Sequence, residues 1–154
     1  MLTKTIEHFL NKREFISVAT CDFEGRPNAA PKFLLKIKEN FIYLVDYSLS
    51  RTWENLKINP KVSLSFVDTD TLKGYQVNGS VDIIYKGDTF NKLFNELKEK
   101  AISLSAKRII EGLHRERTHE NFEVSLPEKL AIFKVKIDEV VEISPRGELK
   151  REKV

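Results

Sequence analysis

Hydrophobic residues change their spacing several times along the chain, and each change predicts a different element. Near the N-terminus Ile6, Phe9 and Leu10 recur at helical spacing, which predicts a short amphipathic helix over residues 3–12. From residue 15 the period becomes two, as in a strand with one buried face. The six strands predicted in this way cover residues 15–20, 28–38, 41–46, 61–68, 74–85 and 129–144.

The strand from Gly74 to Tyr85 has the most regular alternation. Tyr75, Val77, Val81, Ile83 and Tyr85 fall on one face, and Gly79 interrupts the apolar series. A glycine within a strand usually marks a bend, a bulge or a close approach by backbone or ligand. We therefore expect Gly79 to be needed as glycine.

Helical spacing returns twice between the strands. Ser50 is a good N-cap residue and Asn59-Pro60 is a stop signal, so a helix is predicted between them. Residues 88–112 form a helical insertion with an expected break near residues 103–105. The charged tail, 145–154, is expected to fray.

Antiparallel strands with short turns and little alternation of helix and strand predict a mainly β fold. The six strands are expected to close into a small antiparallel barrel with flanking helices, because closure removes unpaired strand edges. The length of 154 residues fits a single domain spanning the whole chain. Its barrel strands lie within 14–86 and 129–144.

The composition of the chain limits the classes of function that are expected. Hydrophobic residues make up 41% and charged residues 32%, and the net charge of +3 is interspersed, so nucleic-acid binding is not expected. No apolar run is long enough for a membrane span, and the N-terminus lacks the apolar core of a signal peptide. The single cysteine, Cys21, fits a reducing compartment. These features predict a cytoplasmic protein without a membrane partner.

Motifs for metal binding and for nucleophilic catalysis are missing from the sequence. His114 and His119 do not have the spacing of a zinc protease motif, and no cysteine lies near them, so no metal is expected. Cys21 lies in an apolar run and is interpreted as a small buried hydrophobe, with a reactive thiol as the alternative. The glycines are scattered singly, so a bound phosphate would need side chains and a helix end.

The helix that follows Ser50 carries a cation at its start. Arg51 lies where the helix dipole is positive, which disfavours a cation unless an anion shares the site. Ser50, Arg51 and Thr52 together can form a phosphate site from hydroxyls, a guanidinium and free backbone N–H groups. The alternative is that Ser50 is only a cap, that Glu54 offsets Arg51, and that the arginine extends into water.

The second predicted strand contains further candidates. Pro31 lies in mid-strand and cannot donate to a sheet ladder, so it marks a place where the sheet opens. Lys32 and Lys36 are an even number of residues apart and are expected on one face. That face is either a ligand contact or an ordinary solvated surface.

Three stretches follow one another within residues 14–86: "TCDFEGRPNAAPKFLLKIKENFIYLVD", "SRTWENLKINPKVSLSF" and "GYQVNGSV". Together they resemble the FMN-binding split-barrel family related to pyridoxamine 5′-phosphate oxidase. The most specific part is a basic residue followed by Thr-x-x-Asn-Leu, present here from Arg51 to Leu56. The resemblance implies an FMN-binding split barrel in which the strand at 129–144 takes the closing position.

The resemblance also implies which residues hold the cofactor. Ser50, Arg51 and Thr52 would contact the FMN phosphate, with Lys36 as a further candidate from the neighbouring strand. Residues of two strands would border the flavin ring: Pro31, Lys32, Phe33, Val45 and Asp46. Gln76 is a further candidate, although it is displaced by about 6.6 Å along its strand from the family's position, at the usual rise per strand residue.

The implied function is an FMN-dependent oxidoreductase that acts on a small-molecule redox substrate, because the flavin supplies the hydride chemistry. A deazaflavin coenzyme would suit the same site. The oxidase's substrate-gripping arginine and histidine have no counterpart in the tail, so vitamin B6 oxidation is not expected. The competing interpretation is a split barrel without turnover that works as an interaction module.

A homodimer with flavin near the subunit interface is also implied by the resemblance. Small barrels are filled by their own side chains, so a flavin ring would lie outside the barrel and need cover. Aromatic residues lie close to the predicted site in sequence and are enriched at interfaces: Phe33, Tyr43, Tyr47 and Trp53. Cover by the 88–112 helices of the same chain is the alternative.

Overall fold

A computed structural model describes residues 4–114 and 126–154. The three helices are α1 (Lys4–Asn11), α2 (Arg51–Ile58) and α3 (Asp88–His114). The strands are β1 (Phe15–Cys21), β2 (Pro27–Lys38), β3 (Phe41–Asp46), β4 (Lys61–Asp68), β5 (Lys73–Ile84), β6 (Ala131–Ile143) and β7 (Leu149–Lys153). The six predicted strands and the three predicted helices are confirmed to within a few residues at each end.

The strands form one antiparallel sheet in the order β3-β2-β1-β4-β5-β6-β7. Pairing of β3 with β6, from Phe41 opposite Lys136 to Asp46 opposite Ala131, closes six of these strands into a barrel. The predicted six-stranded barrel with flanking helices is therefore confirmed.

The seventh strand lies in the tail that was expected to fray, so that expectation was wrong. β7 pairs with the second half of β6, from Glu139 opposite Lys153 to Ile143 opposite Leu149. The turn between them is closed by Ser144, whose Oγ accepts hydrogen bonds from the N–H groups of Arg146 and Glu148. Charged side chains do not prevent strand formation here, because the backbone ladder does not depend on them.

The chain divides into two compact units, Met1–Tyr85 with Leu130–Val154 and Lys86–Lys129. The core of the first unit is the barrel interior, to which α1 contributes Ile6 and Leu10 and α2 contributes Leu56. The alternation predicted for β5 is confirmed by the burial of Tyr75, Val77 and Val81, but Tyr85 lies beyond the strand and is 53% exposed. β5 thus covers the core with alternate residues.

The second unit contains α3, which is one continuous helix of 27 residues. The break expected at residues 103–105 was wrong. Serine within a helix costs only a few tenths of a kcal/mol relative to better helix formers, which is too little to interrupt a long helix. Side chains four residues apart support its first half, where Phe90 stacks on Phe94 and the Lys98 ammonium lies 4.8 Å from the Phe94 ring centre.

Gly79 lies at an irregularity in the pairing of β5 with β6. Asn78 is opposite Glu139, but Gly79 is opposite Ile137, so Asp138 is the extra residue of a bulge. A Cβ on Gly79 would overlap the carbonyl oxygen of Lys136. Of the three reasons predicted for a strand glycine, a bulge and a close backbone approach are therefore both present.

A second bulge lies in β2 and changes the face of one predicted site residue. Leu34 is opposite Leu44, but Lys36 is opposite Tyr43, so Leu35 is the extra residue. Lys36 therefore lies on the outer face, with its ammonium 5.1 Å from the Tyr43 ring centre, whereas Lys32 is opposite core residue Ile16. The expectation that Lys32 and Lys36 share a face was wrong, because it assumed an unbroken period of two.

Candidate functional site

The helix α2 is fixed to the β1–β2 hairpin by polar side chains along its length. At its start the Asn28 Nδ2 donates to Thr52 Oγ1 at 3.1 Å, and one turn later Asn55 Nδ2 donates to Thr20 Oγ1 at 3.1 Å. At its end Asn59 Nδ2 lies 3.3 Å from the Sγ of half-buried Cys21. Each turn of α2 is thereby held at a defined position on the barrel.

The start of α2 is open. Ser50 takes the N-cap position, as predicted, but its side chain makes no capping hydrogen bond. Its Oγ lies instead 3.1 Å from Ser48 Oγ. The backbone N–H groups of the first helical turn have no partner within the helix, so they are available to an anion.

Arg51 is the first residue of α2 and its side chain is exposed. Within residues 4–114 and 126–154 it has no side-chain hydrogen bond or ion pair, so Glu54 does not offset it, but its exposure agrees with the alternative in which the arginine extends into water. A cationic residue thus begins the helix at the positive end of its dipole, next in sequence to the uncapped Ser50. This arrangement favours an anion with several oxygen atoms.

A buried ion pair lies next to this helix end. Lys32 Nζ donates to Asp46 Oδ1 at 2.8 Å, and the two side chains are 6% and 0% exposed. Ser48 also donates to Asp46 Oδ1, through its Oγ at 3.0 Å and its N–H at 3.2 Å. Asp46 Oδ2 is buried and has no hydrogen-bond partner among the described residues.

Two further candidates, Phe33 in β2 and Val45 near the end of β3, are apolar. Phe33 is directly opposite Val45 in the β2–β3 ladder, and both are buried. The Phe33 ring packs against the rings of Phe15 and Tyr47 at centroid distances of 5.7 and 6.3 Å. Partial burial raises the pKa of the Tyr47 hydroxyl, so this tyrosine stays neutral.

Pro31 lies where β2 has only one paired edge. Residues from Pro27 to Phe33 pair with β1, and pairing with β3 begins at Phe33. The missing N–H of Pro31 therefore costs no ladder bond, which confirms that the sheet opens at this point.

A row of residues in register crosses the outer face of four strands: Pro31, Ser17, Ser65 and Gln76. A second row beside it consists of Ala29, Ala19, Ser63 and Asn78. All eight are exposed or half-buried, and we call them the outer small-residue face. Gln76 lies three strands, or about 14 Å, from Pro31 at the usual strand spacing, and its Nε2 donates to Ser63 Oγ at 3.1 Å.

The structure therefore links part of the predicted set directly. Hydrogen bonds connect Lys32, Asp46 and Ser50 through Ser48, and Arg51 and Thr52 follow in the same chain segment. Lys36 lies beyond the β2 bulge, and Gln76 lies on the far side of the outer small-residue face. These two are separated from the cluster at α2.

Two members of the cluster were missed by the sequence analysis, Asn28 and Ser48. Ser48 had a signal, since an aspartate that bonds the N–H two residues later is a common turn pattern, and Asp46 and Ser48 have that spacing. Asn28 had none, because its partner Thr52 lies 24 residues away.

The described part of the chain offers neither a metal site nor a membrane-spanning helix. No group of three or more His, Cys, Asp or Glu side chains there is arranged to hold a metal ion. His8 is exposed on α1, whereas the His114 side chain and His119 lie outside the described residues. Among the described helices, none combines the length and the apolar character that a membrane crossing requires.

Comparison with known proteins gives a family match over nearly the whole chain. A family model described as pyridoxamine 5′-phosphate oxidase matches residues 2–143. The heme oxygenase HutZ of Vibrio cholerae is 30% identical over 70 residues, which are 46% of this chain and 39% of HutZ. The chain thus aligns with less than half of HutZ.

Solved structures share the fold at low sequence identity. A Clostridium acetobutylicum protein related to general stress protein 26, of the pyridoxinephosphate oxidase family, gives a TM-score of 0.70 at 17% identity, covering 97% of this chain and 92% of that one. A pyridoxamine 5′-phosphate oxidase-related, FMN-binding protein from Nostoc punctiforme gives 0.60 at 13% identity, covering 99% and 96%.

Proposed function

Because the chain belongs to the pyridoxamine 5′-phosphate oxidase family, we propose that it binds FMN and acts as an FMN-dependent oxidoreductase on a small-molecule redox substrate. The observation that carries this proposal is the open start of α2. The helix end is uncapped there, and its first residue, Arg51, is exposed and bonds no described side chain. A phosphate group satisfies both.

The residues present fit such a group. Arg51 supplies a forked donor for two phosphate oxygens, and the free N–H groups of the first turn supply further donors. The negative charge of Asp46 does not oppose the phosphate strongly, because Lys32 neutralises it at 2.8 Å. Pro31 supplies an exposed apolar side chain on β2, whereas Phe33 and Val45 are buried. FMN, when bound, would supply hydride transfer, while the chain positions it and controls access.

One alternative ligand would present the same phosphate chemistry to this site. A deazaflavin coenzyme also carries a phosphate group on a polyol chain, so the open start of α2 suits it equally. FMN is tested first, by titrating the purified protein and following flavin fluorescence. A yellow protein with one FMN per chain supports the proposal, and a protein that binds only the deazaflavin moves the function to that cofactor.

Arg51→Ala is expected to weaken FMN binding by about 10-fold to 150-fold, since losing one partner of a charge-assisted hydrogen bond costs about 1.5–3 kcal/mol. The fold should be unaffected, because Arg51 is exposed and bonds no described side chain. Fluorescence titration measures the affinity and thermal unfolding measures the fold.

The matched control is Arg146→Ala, which removes the same charge from the exposed turn between β6 and β7. Its FMN affinity should equal that of the unmodified protein. Equal affinities in all three proteins would contradict the phosphate assignment of Arg51.

The proposal includes a homodimer with flavin near the interface. The outer small-residue face includes Pro31, and the barrel interior is filled by the core, so a flavin ring needs cover from outside. Sedimentation equilibrium should give twice the chain mass of 17.9 kDa at micromolar concentration. Dilution to monomers should release FMN, and a monomer that keeps FMN fully bound would refute the shared site.

Heme binding is a second candidate, favoured by the alignment with heme oxygenase HutZ. Adding hemin to the purified protein distinguishes the two, since a bound heme gives a shifted Soret band and competes with FMN if the sites overlap. A protein that responds to neither ligand in its absorbance or its melting temperature would instead support the interaction module without a cofactor.

A further inference from the structure

Lysine side chains gather on the outside of the barrel, where the pairing of β3 with β6 closes it. A first row of residues in register crosses five strands there: Lys38, Phe41, Lys136, Ser80 and Lys61. A second row beside it crosses four strands: Lys36, Tyr43, Lys134 and Asp82. We call the five lysines of these two rows the lysine face.

Every lysine of this face points away from the barrel interior. Each is next in sequence to a residue that lies in the core or packs against it, as Val135 does between Lys134 and Lys136. Neighbouring residues of a strand point to opposite faces, so the lysines lie outside. The three lysines of the first row are exposed, and the two of the second row are half-buried. The charge of the first row is therefore open to a partner.

The first row spreads its charge over a wide surface. Lys38, Lys136 and Lys61 lie on β2, β6 and β4, so neighbouring lysines of the row are two strands, or about 10 Å, apart at the usual strand spacing. Within residues 4–114 and 126–154, the side chains of Lys38 and Lys136 make no hydrogen bond or ion pair. This spacing suits several separate anionic groups better than one small anion.

Acidic side chains offset part of this charge. Asp82 is opposite Lys134 in the second row, and Asp138 Oδ2 lies 3.6 Å from Lys61 Nζ. Glu39 is exposed in the turn between β2 and β3. An ion pair as exposed as that of Lys61 is weak and can exchange for another carboxylate. Since the two rows hold five lysines and one carboxylate, the face stays positive.

The two aromatic rings in these rows are covered by lysines. The Lys134 ammonium lies 4.2 Å from the Phe41 ring centre, and the Lys36 ammonium lies 5.1 Å from that of Tyr43. Bases of a single-stranded nucleic acid stack on open aromatic rings, and here the ammonium groups occupy that place. Neither row contains an arginine, whose fork matches the geometry of a phosphate. These features favour carboxylates over nucleic-acid phosphates.

We infer that the lysine face is a docking surface for an acidic protein, whose carboxylates pair with Lys38, Lys61 and Lys136. Complementary charge of this kind speeds the encounter and orients the partner, and its effect weakens as salt is added. The inference does not depend on the proposed cofactor, because it uses no residue at the start of α2.

A labelled peptide of about eight glutamates serves as the probe, since its extended length of about 26 Å spans the first row. Fluorescence anisotropy follows its binding to the whole protein at about 20 mM salt, with and without FMN. Neutralising the first row, with Lys38→Gln, Lys61→Gln and Lys136→Gln together, should weaken binding by about threefold to hundredfold, the combined effect of three exposed pairs. Raising the salt to about 200 mM should also weaken binding to the unmodified protein.

Two further triple variants serve as controls. Lys4→Gln, Lys12→Gln and Lys150→Gln together remove the same charge from exposed positions outside the two rows, so binding should stay within about twofold of the unmodified protein. Changing the three lysines of the first row to arginine keeps the charge and should keep the affinity. Thermal unfolding checks that every variant folds, as expected for exposed side chains.

Three results would overturn the inference. The first is an unmodified protein that does not bind the glutamate peptide, and the second is an equal loss of affinity in the two glutamine variants. The third is tighter binding of an oligothymidylate, or of vesicles that contain phosphatidylserine, with the loss confined to the first-row variant, which would assign the face to nucleic acid or to a membrane surface. FMN titration of the unmodified protein judges the proposed function separately.

Discussion

Gly79→Ala should destabilise the protein by about 3 kcal/mol or more, at the upper end of what overpacking costs. The added Cβ would overlap the carbonyl oxygen of Lys136 on β6, and a backbone atom in a closed barrel cannot move aside as a flexible side chain can. The β5–β6 ladder would have to separate at the bulge where the two strands pair. Urea unfolding of the purified variant measures this loss.

Gly74→Ala is the matched control, because Gly74 lies in the same strand as Gly79 and is half-buried. Its Cβ would approach Ile143 no closer than 3.5 Å, which is an ordinary contact. This variant should remain within about 1 kcal/mol of the unmodified protein, because it also removes backbone freedom from the unfolded chain. Equal stability of the two variants would mean that the close approach at Gly79 is relieved without cost.

Lys32→Met should cost about 3–5 kcal/mol of stability, because it leaves the Asp46 carboxylate buried without its counter-charge. Asp46 is 0% exposed, so water cannot replace the ammonium without opening the barrel end. Only the two donors of Ser48 would remain on the carboxylate. The free energy of unfolding from urea titration gives the magnitude.

The double variant Lys32→Met with Asp46→Leu separates the charge from the packing. Replacing both partners of a buried pair by apolar residues is often neutral or stabilising. Most of the stability lost in Lys32→Met should therefore return. If the double variant is as unstable as the single one, the loss comes from the packing of the lysine stem and not from an unpaired charge.

The barrel itself was predictable because its strands alternate. Burial of every second residue of β5, from Tyr75 to Val81, follows the apolar pattern, and turn residues separate the strands. Predictions failed where side-chain character was a poor guide to backbone pairing. Four of the five residues of β7 are charged, yet it pairs with β6, and the serines of α3 were taken as a break although they cost the helix little.

Only those residues of the candidate site that are neighbours in the sequence were predictable. Ser50 and Arg51 are marked by the rules for helix ends, which concern residues next to each other in the chain. The face on which Lys36 lies was not predictable, because one inserted residue in β2 reverses the alternation of the strand. The sequence contained a signal for this bulge. Leu34 and Ile37 are both apolar but three residues apart, so an unbroken strand would place them on opposite faces, whereas both contact the core.

The buried pair of Lys32 and Asp46 was beyond any local pattern. The two residues lie 14 positions apart on different strands, and their contact depends on the register of β2 with β3, in which Phe33 is opposite Val45. The resemblance placed both near the flavin ring but gave no reason for opposite charges there. The contact between the Ser48 and Ser50 hydroxyls likewise became visible only in the three-dimensional structure.

The seventh strand has a consequence for how copies of the chain behave in concentrated solution. β7 ends the strand order, so its outer edge carries backbone groups that could pair with a strand of another molecule. Four of its five residues are charged, and all five are exposed. Adding a foreign strand there would bring these charges against another chain and remove them from water. The strand order therefore ends at an edge that resists aggregation.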